Sequence, residues 1–207
     1  ADAAEMLLAL RRIGGKRLEE LFGAGTQDET KLRGRDPVVQ SPLVEELTET
    51  AEAHLARVFP SARAQLATMG ASVLVATTDV HEHGKMLLES ALRDLGVEVL
   101  DGGVSTDPDN LAALAASSEA DAIAVSTFNG IALDYIDRLF RELERLGLDT
   151  PVLVGGRLNQ IPEGSNTSLP VDVSDELSSR GAIVCREIED CVPALIKIGT
   201  TRKRQVS

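Results

Sequence analysis

The sequence predicts an α/β protein whose main body is a doubly wound, five-stranded parallel sheet. From Gly70 onward, short β-branched or apolar runs alternate with stretches of helical period. Punctuation falls between them: Gly96 and Gly147 follow two of the helical stretches, and Asp107-Pro108 opens another. Right-handed crossovers leave few ways to connect such units, and the flavodoxin-like order 2-1-3-4-5 is the one adopted here. It brings the loops after strands 1 and 3 to the switch point, where open α/β sheets bind ligands.

Each element has a local reason. Residues 1–66 read as a helical N-terminal extension or linker. A broken apolar stripe at Met6, Leu7, Leu10, Ile13, Leu18 and Leu21 is interrupted by Gly14-Gly15, and 23–40 form a polar connector. Ser41-Pro42 starts a second helix through Leu43, Val44, Leu47 and Leu55 to about Val58, with Pro60 closing it. The main domain is expected over 67–199. Its first strand is Ser72–Thr77, followed by a helix over 84–95 with Met86, Leu87, Ala91, Leu92 and Leu95 on one face. Strand Val97–Leu100, a helix from Pro108, strand Ala122–Ser126 and a helix over 131–146 follow. Strand Val152–Val154 ends in Gly155-Gly156, and an irregular polar stretch, 157–180, precedes strand Ala182–Cys185 and a helix near 189–197. Residues 200–207, with Arg202-Lys203-Arg204, read as a flexible tail.

Composition excludes several functions. A net charge of −12 and a pI near 4.7 argue against binding a phosphate backbone, which needs Lys and Arg. No apolar run approaches the roughly 20 residues that span a bilayer. The start, Ala1-Asp2-Ala3-Ala4-Glu5, lacks the cationic region of a secretion signal, and without Met it reads as a processed or excised piece of something longer. Cys185 and Cys191 lack C-x-x-C spacing and read as free thiols in or near the core. A reducing cytoplasm is the expected location.

The chemistry concentrates at the carboxyl end of strand 1, in the hexapeptide Asp79-Val80-His81-Glu82-His83-Gly84. Asp79 lies two residues from His81, within reach of one ring nitrogen while the other nitrogen ligates a metal. By itself an Asp-x-His pair is an ordinary loop feature. Here the predicted topology carries it to the same sheet edge as Ser126, Thr127 and Gly155-Gly156, which supply hydroxyls and side-chain-free backbone for a close-lying ligand. His83 is read as a contact with solvent or with the edge of such a ligand, and His54 as a surface residue. Neither a G-x-G-x-x-G nor a Walker loop follows strand 1, which argues against nucleotide binding.

This array, D-x-H-x-x-G after strand 1, Ser at the end of strand 3 and Gly-Gly at the end of strand 4, resembles the cobalamin-binding domain family over about residues 70–199. The resemblance implies that His81 replaces the dimethylbenzimidazole base as lower axial ligand of cobalt, with Asp79 hydrogen-bonded behind it. It also implies that Gly84, Ser126, Gly155 and Gly156, with Thr127 beside them, line a slot for the displaced nucleotide tail. Phe128 departs from the Ser-x-Leu that the mutase branch usually shows after strand 3. A neutral imidazole backed by a carboxylate suits cobalt on chemical grounds as well.

Two chemistries stand open. The first is the cofactor-binding subunit or domain of an adenosylcobalamin-dependent mutase, an isomerase of the methylmalonyl-CoA type. Such a unit needs a catalytic TIM-barrel partner that holds a small-molecule substrate, here an acyl-CoA, because the roughly 250 residues of a barrel are absent from this sequence. The second is a methyl-carrying corrinoid protein using methylcobalamin, which the spelling Gly84-Lys85 favours. Methyl carriers of the family normally place a four-helix cap before the domain, whereas residues 1–66 hold about two helices, so the mutase is preferred. A sensor or cofactor-transfer module lacks a basic helix pair for DNA.

Overall fold

A computed structural model describes residues 42–80, 82–162 and 169–206, with the side chains of 42–45, 47 and 202–206 excepted. The helix expected over 3–22, the connector over 23–40 and His81 lie outside the described residues. The elements in chain order are α1 (Pro42–Val58), α2 (Ala62–Met69), β1 (Ser72–Thr77), α3 (His83–Asp94), β2 (Glu98–Val104), α4 (Pro108–Ser118) and β3 (Ala122–Thr127). They continue with α5 (Ala132–Arg145), β4 (Val152–Gly156), β5 (Asn159–Gln160), β6 (Val171–Asp172), α6 (Ser174–Ser179), β7 (Ile183–Cys185), a 3-10 turn (Ile188–Asp190) and α7 (Cys191–Val206).

The main sheet has the order β2-β1-β3-β4-β7, and every pairing in it is parallel. Counting only its own strands, this is the 2-1-3-4-5 order that the alternating pattern predicts. The period of two in β1, β3 and β4 divides the core between two faces. Leu74, Ala76, Ile123, Val125, Val152 and Val154 face one side, packed with Leu111 of α4, Leu139 of α5 and Leu177 of α6. Val73, Val75, Ala122, Ala124 and Leu153 face the other, packed with Leu55 of α1, Leu66 of α2, Leu92 of α3 and Leu195 of α7. Strands buried on both faces are apolar throughout, which is why these runs read as continuous and not alternating.

Four differences from the sequence reading have physical causes. Strand β2 runs past Leu100 to Val104, because Gly102 lies against Ala76 where a Cβ would sit 2.9 Å from that residue's own Cβ. The ladder shifts register between Val75 and Thr77 at this point, so the glycine pair marks a bulge in the strand and not its end. The polar stretch 157–180 is not wholly irregular. Buried Leu158, Val173 and Leu177 anchor a short antiparallel pair, β5–β6, and helix α6. Gln160 then caps α5 from outside the helix, its Oε1 accepting from the Leu133 and Asp134 amides at 3.1 and 3.2 Å.

The third and fourth differences concern the expected domain boundaries. The 66/67 boundary falls inside α2, whose Ala62 and Leu66 are core residues. Helix α7 runs to Val206, through the segment read as a tail. The compact unit spans Pro42–Ser207. Among the described residues no helix is long and apolar enough to cross a membrane.

Leu66→Ala tests whether α2 belongs to this core. A fully buried leucine truncated in place should cost about 2–5 kcal/mol of unfolding free energy in urea titration. Leu114→Ala, at a 40% exposed site on α4, should stay within about 0.5 kcal/mol of wild type.

Candidate functional site

The parallel register sets one row of residues at the carboxyl edge. Thr77 pairs with Ser126, Ser126 with Gly155, and Gly155 with Cys185. Above this row the strands give way to loops, and helix α3 leaves the sheet at Gly84. Between α3, the ends of β3, β4 and β7, and the 3-10 turn lies a cavity of about 190 Å³. Its walls are mostly apolar: Leu87 and Leu88 from α3, Ala124 and Val125 from β3, Leu153 and Val154 from β4, and Ile188 from the turn.

Of the seven candidate residues, four line this cavity: Gly84, Ser126, Gly155 and Gly156. Space explains the glycines. A Cβ on Gly84 would lie 2.8 Å from the Ser126 Oγ, directly across the gap, and one on Gly155 would lie 3.0 Å from the Cys185 carbonyl oxygen. Gly156 has φ of +90°, and a Cβ there would sit 2.4 Å from the Thr127 carbonyl oxygen, so no other residue fits without moving the strand.

The other three are placed differently. Thr127, the last residue of β3, is buried, and its hydroxyl donates to the Arg157 carbonyl at 2.6 Å while its own carbonyl accepts from the Arg157 amide at 2.8 Å. It braces the β4 loop and is not among the residues lining the cavity. Asp79 is buried just beyond β1, with the Thr78 hydroxyl 3.5 Å from its Oδ2. Asn129, in the loop after β3, donates to the Thr78 carbonyl at 3.4 Å and ties the two loops together. His81 lies outside the described residues, between Val80, which is 74% exposed, and the helix start. His83 is exposed at the first position of α3. Among the described residues no cluster of three or more His, Cys, Asp or Glu side chains is placed to hold a metal ion.

Sequence reading missed Leu87 and Leu88, although Gly84, Leu87 and Leu88 fall at i, i+3 and i+4 on one helix face. Cys185 and Cys191, free and buried as expected, line the cavity as well. The register row that carries Ser126 and Gly155 continues to Cys185, so the strand alignment held the signal. Phe128 and Arg157 flank the edge, the guanidinium 5.1 Å above the ring. His54 is only partly exposed, because its Nε2 lies 2.6 Å from Glu189 Oε1 and links α1 to the 3-10 turn.

Lys85, next to Gly84, is buried and bridges Glu89 Oε1 at 2.5 Å and Asp101 Oδ1 at 2.9 Å. Burial works to lower its pKa, but hydrogen bonds to Asp101 and Glu89 outweigh that and raise it above the usual 10.5. The bridge ties α3 to the bulged β2 and so fixes the helix that carries Gly84.

A family model described as "B12 binding domain" matches residues 70–173, half of the chain. The chain belongs to the B12-binding domain family. Over 81 residues, 39% of this chain, it is 40% identical to a glutamate mutase sigma subunit 1 from Haloarcula marismortui. Over 170 residues, 81% of this chain, it is 29% identical to the methylmalonyl-CoA mutase large subunit of Propionibacterium freudenreichii subsp. shermanii. The chain covers 54% of the first of these relatives and 22% of the second. A cobalamin-binding protein from Desulfitobacterium hafniense DCB-2 shares the fold, with a TM-score of 0.50 at 19% identity over 95% of this chain and 92% of that one. The protein is thus a cobalamin-binding domain related to mutase subunits.

The residues suit that cofactor. The cavity is narrow and apolar, as an aromatic base requires, and a side chain at Gly84 would fill it from the helix side.

Lys85 gives a pH prediction. A raised folded pKa contributes stability that is full below the unfolded value of 10.5 and is lost as pH climbs through the folded one. Unfolding free energy should therefore fall on the alkaline side of about pH 10.5, more shallowly in Lys85→Met. Some alkaline loss should persist in that variant through Tyr135, whose pKa is raised above the usual 10.0 by burial first and by Asp107 next. Chemical denaturation across that range measures both.

Proposed function

We propose that this chain is the cofactor-binding part of an adenosylcobalamin-dependent mutase, an isomerase that rearranges the carbon skeleton of an acyl-CoA. The observation that carries the cofactor half of this reading is the cavity lined by Gly84, Ser126, Gly155 and Gly156. In this reading the cavity would take the nucleotide tail of the cofactor. His81 would hold the cobalt, and Asp79 would accept a hydrogen bond from its other ring nitrogen, fixing the tautomer and raising basicity. Bound adenosylcobalamin supplies a cobalt–carbon bond whose homolysis starts the radical rearrangement.

The chain's own contribution is to bind and orient. The apolar walls exclude water from the tail, the glycines let it lie against backbone, and Ser126 Oγ offers one hydroxyl beside it. The Thr127–Arg157 brace and the Lys85 bridge hold the walls apart. Val80, Phe128 and Ile131 stand exposed around the carboxyl edge, an apolar rim suited to a partner that covers the cofactor. That partner is proposed to be a TIM-barrel subunit or domain holding the substrate.

The mutase reading is supported by the methylmalonyl-CoA mutase relative, whose similarity extends over more of the chain than the B12-binding segment alone. The methyl-carrier reading leans on Lys85, which has a structural role as the buried link between α3 and β2. A barrel polypeptide encoded beside this chain or fused ahead of it would support the mutase. A methyltransferase in that place would overturn it in favour of the carrier.

Visible spectroscopy tests the cofactor reading directly. Adenosylcobalamin added to the full chain should shift to the base-off form with imidazole ligation. His81→Ala should lose the imidazole signature, and Gly84→Val should weaken binding at least tenfold by filling the cavity. A wild-type spectrum unchanged by either substitution would overturn the assignment.

A further inference from the structure

The two cysteines have no part in the cofactor chemistry described above, yet both sulfur-bearing side chains belong to the cavity wall. Cys185 ends β7 and Cys191 begins α7, with a single 3-10 turn between them. They are the chain's only cysteines, both are free and buried, and the short turn between them brings both to one cavity wall. We propose that Cys185 and Cys191 form an oxidation-sensitive dithiol, which hydroperoxides entering the cavity convert into a disulfide that lowers the cavity's capacity for its ligand.

With Cys185 as the attacking thiolate and Cys191 as the resolving thiol the chemistry runs in two steps, and exchanging the two leaves its balance unchanged. In the first step the Cys185 thiolate attacks one peroxide oxygen and the O–O bond breaks. This leaves a sulfenic acid on Cys185 and, after protonation, an alcohol or water. In the second step the Cys191 sulfur attacks the sulfenic sulfur, the S–O bond breaks, and water leaves with the thiol proton. Overall, two thiols and one hydroperoxide give a disulfide, an alcohol and water, with two electrons passing from sulfur to oxygen.

Closing the bond must reshape the cavity. A disulfide draws the sulfurs to about 2.05 Å, well inside the contact distance of two free thiols. Strand β7 has little freedom to move, because its backbone is laddered to β4 and the Cys185 carbonyl already sits tightly against Gly155. The displacement therefore falls on Cys191 and on the turn before it. Glu187 and Ile188 of that segment are themselves wall residues, and a capping box between Glu187 and Asp190 makes the turn move as a unit. A filled cavity would conversely shield both sulfurs from oxidant. This consequence rests on the cofactor reading above, whereas the thiol chemistry does not.

The full chain, reduced and freed of reductant, is treated with hydrogen peroxide, alkylated, and digested with trypsin without reduction. Cleavage after Arg180, Arg186 and Lys197 puts the two cysteines on separate peptides, 181–186 and 187–197. The expected result is the two peptides joined, with the joining slowed at least fivefold by saturating adenosylcobalamin. The oxidised chain should bind adenosylcobalamin at least tenfold more weakly, and dithiothreitol should restore it. Whatever affinity Cys185→Ser retains should not respond to peroxide. Separate alkylated peptides would overturn the dithiol, and unchanged affinity in the joined protein would overturn its effect on the cavity. Joined peptides from a chain that binds no cobalamin when reduced would contradict the cofactor reading and leave the thiol site standing.

Discussion

Protein interiors close over gaps of molecular size, so an open slot between a helix and a sheet needs a structure that keeps it open. Here that structure is the parallel register of four strands. It aligns Thr77, Ser126, Gly155 and Cys185 in one row, and it stops the large side chains of β3 and β4 just below that row. At the slot itself Gly84 and Gly155 present no side chain, while the Lys85 bridge to Asp101 anchors α3 to the far strand. A one-residue slip of β4 against β3 would bring Val154 opposite Ser126, replacing the glycine by a branched side chain and reversing which face each residue serves. The cavity is therefore a consequence of strand alignment, with the individual lining residues as its details.

Much of this was legible in the sequence, and unevenly so. The topology followed from alternating patterns because fully buried parallel strands leave long apolar runs bounded by turns. Gly84, Ser126 and Gly155 were legible because the ends of consecutive strands must meet at the switch point. Thr127 is not among the residues lining the cavity, for a related reason. Its neighbour Ser126 faces the cavity, so by the alternation of a strand Thr127 faces away and spends its hydroxyl on Arg157. Strand β2 ran past its expected end because a glycine pair signals a turn and a bulge equally well. Helix α2 and the cavity cysteines depend on contacts distant in sequence, which local pattern does not encode.

The same geometry links loading of the slot with the chain around it. The 3-10 turn that closes one end of the cavity is tied to α1 through His54 and Glu189, and its following residue is Cys191. Helix α1 and the redox state of the thiols therefore act on the same few residues. The apolar rim formed by Val80, Phe128 and Ile131 lies at the other side of the sheet edge, where the proposed barrel partner would cover the cofactor. On an acidic chain of net charge −12, this rim of apolar residues, with the Arg157 guanidinium over Phe128, would favour such a partner by apolar burial.

The central claim is that the cavity beside Gly84, Ser126 and Gly155 receives the nucleotide tail of a cobalamin. A crystal structure of the full chain with adenosylcobalamin tests it most directly. The account predicts electron density for the dimethylbenzimidazole base between α3 and the ends of β3 and β4, with the His81 imidazole on cobalt. An empty cavity, with the base still coordinated to cobalt, would contradict it.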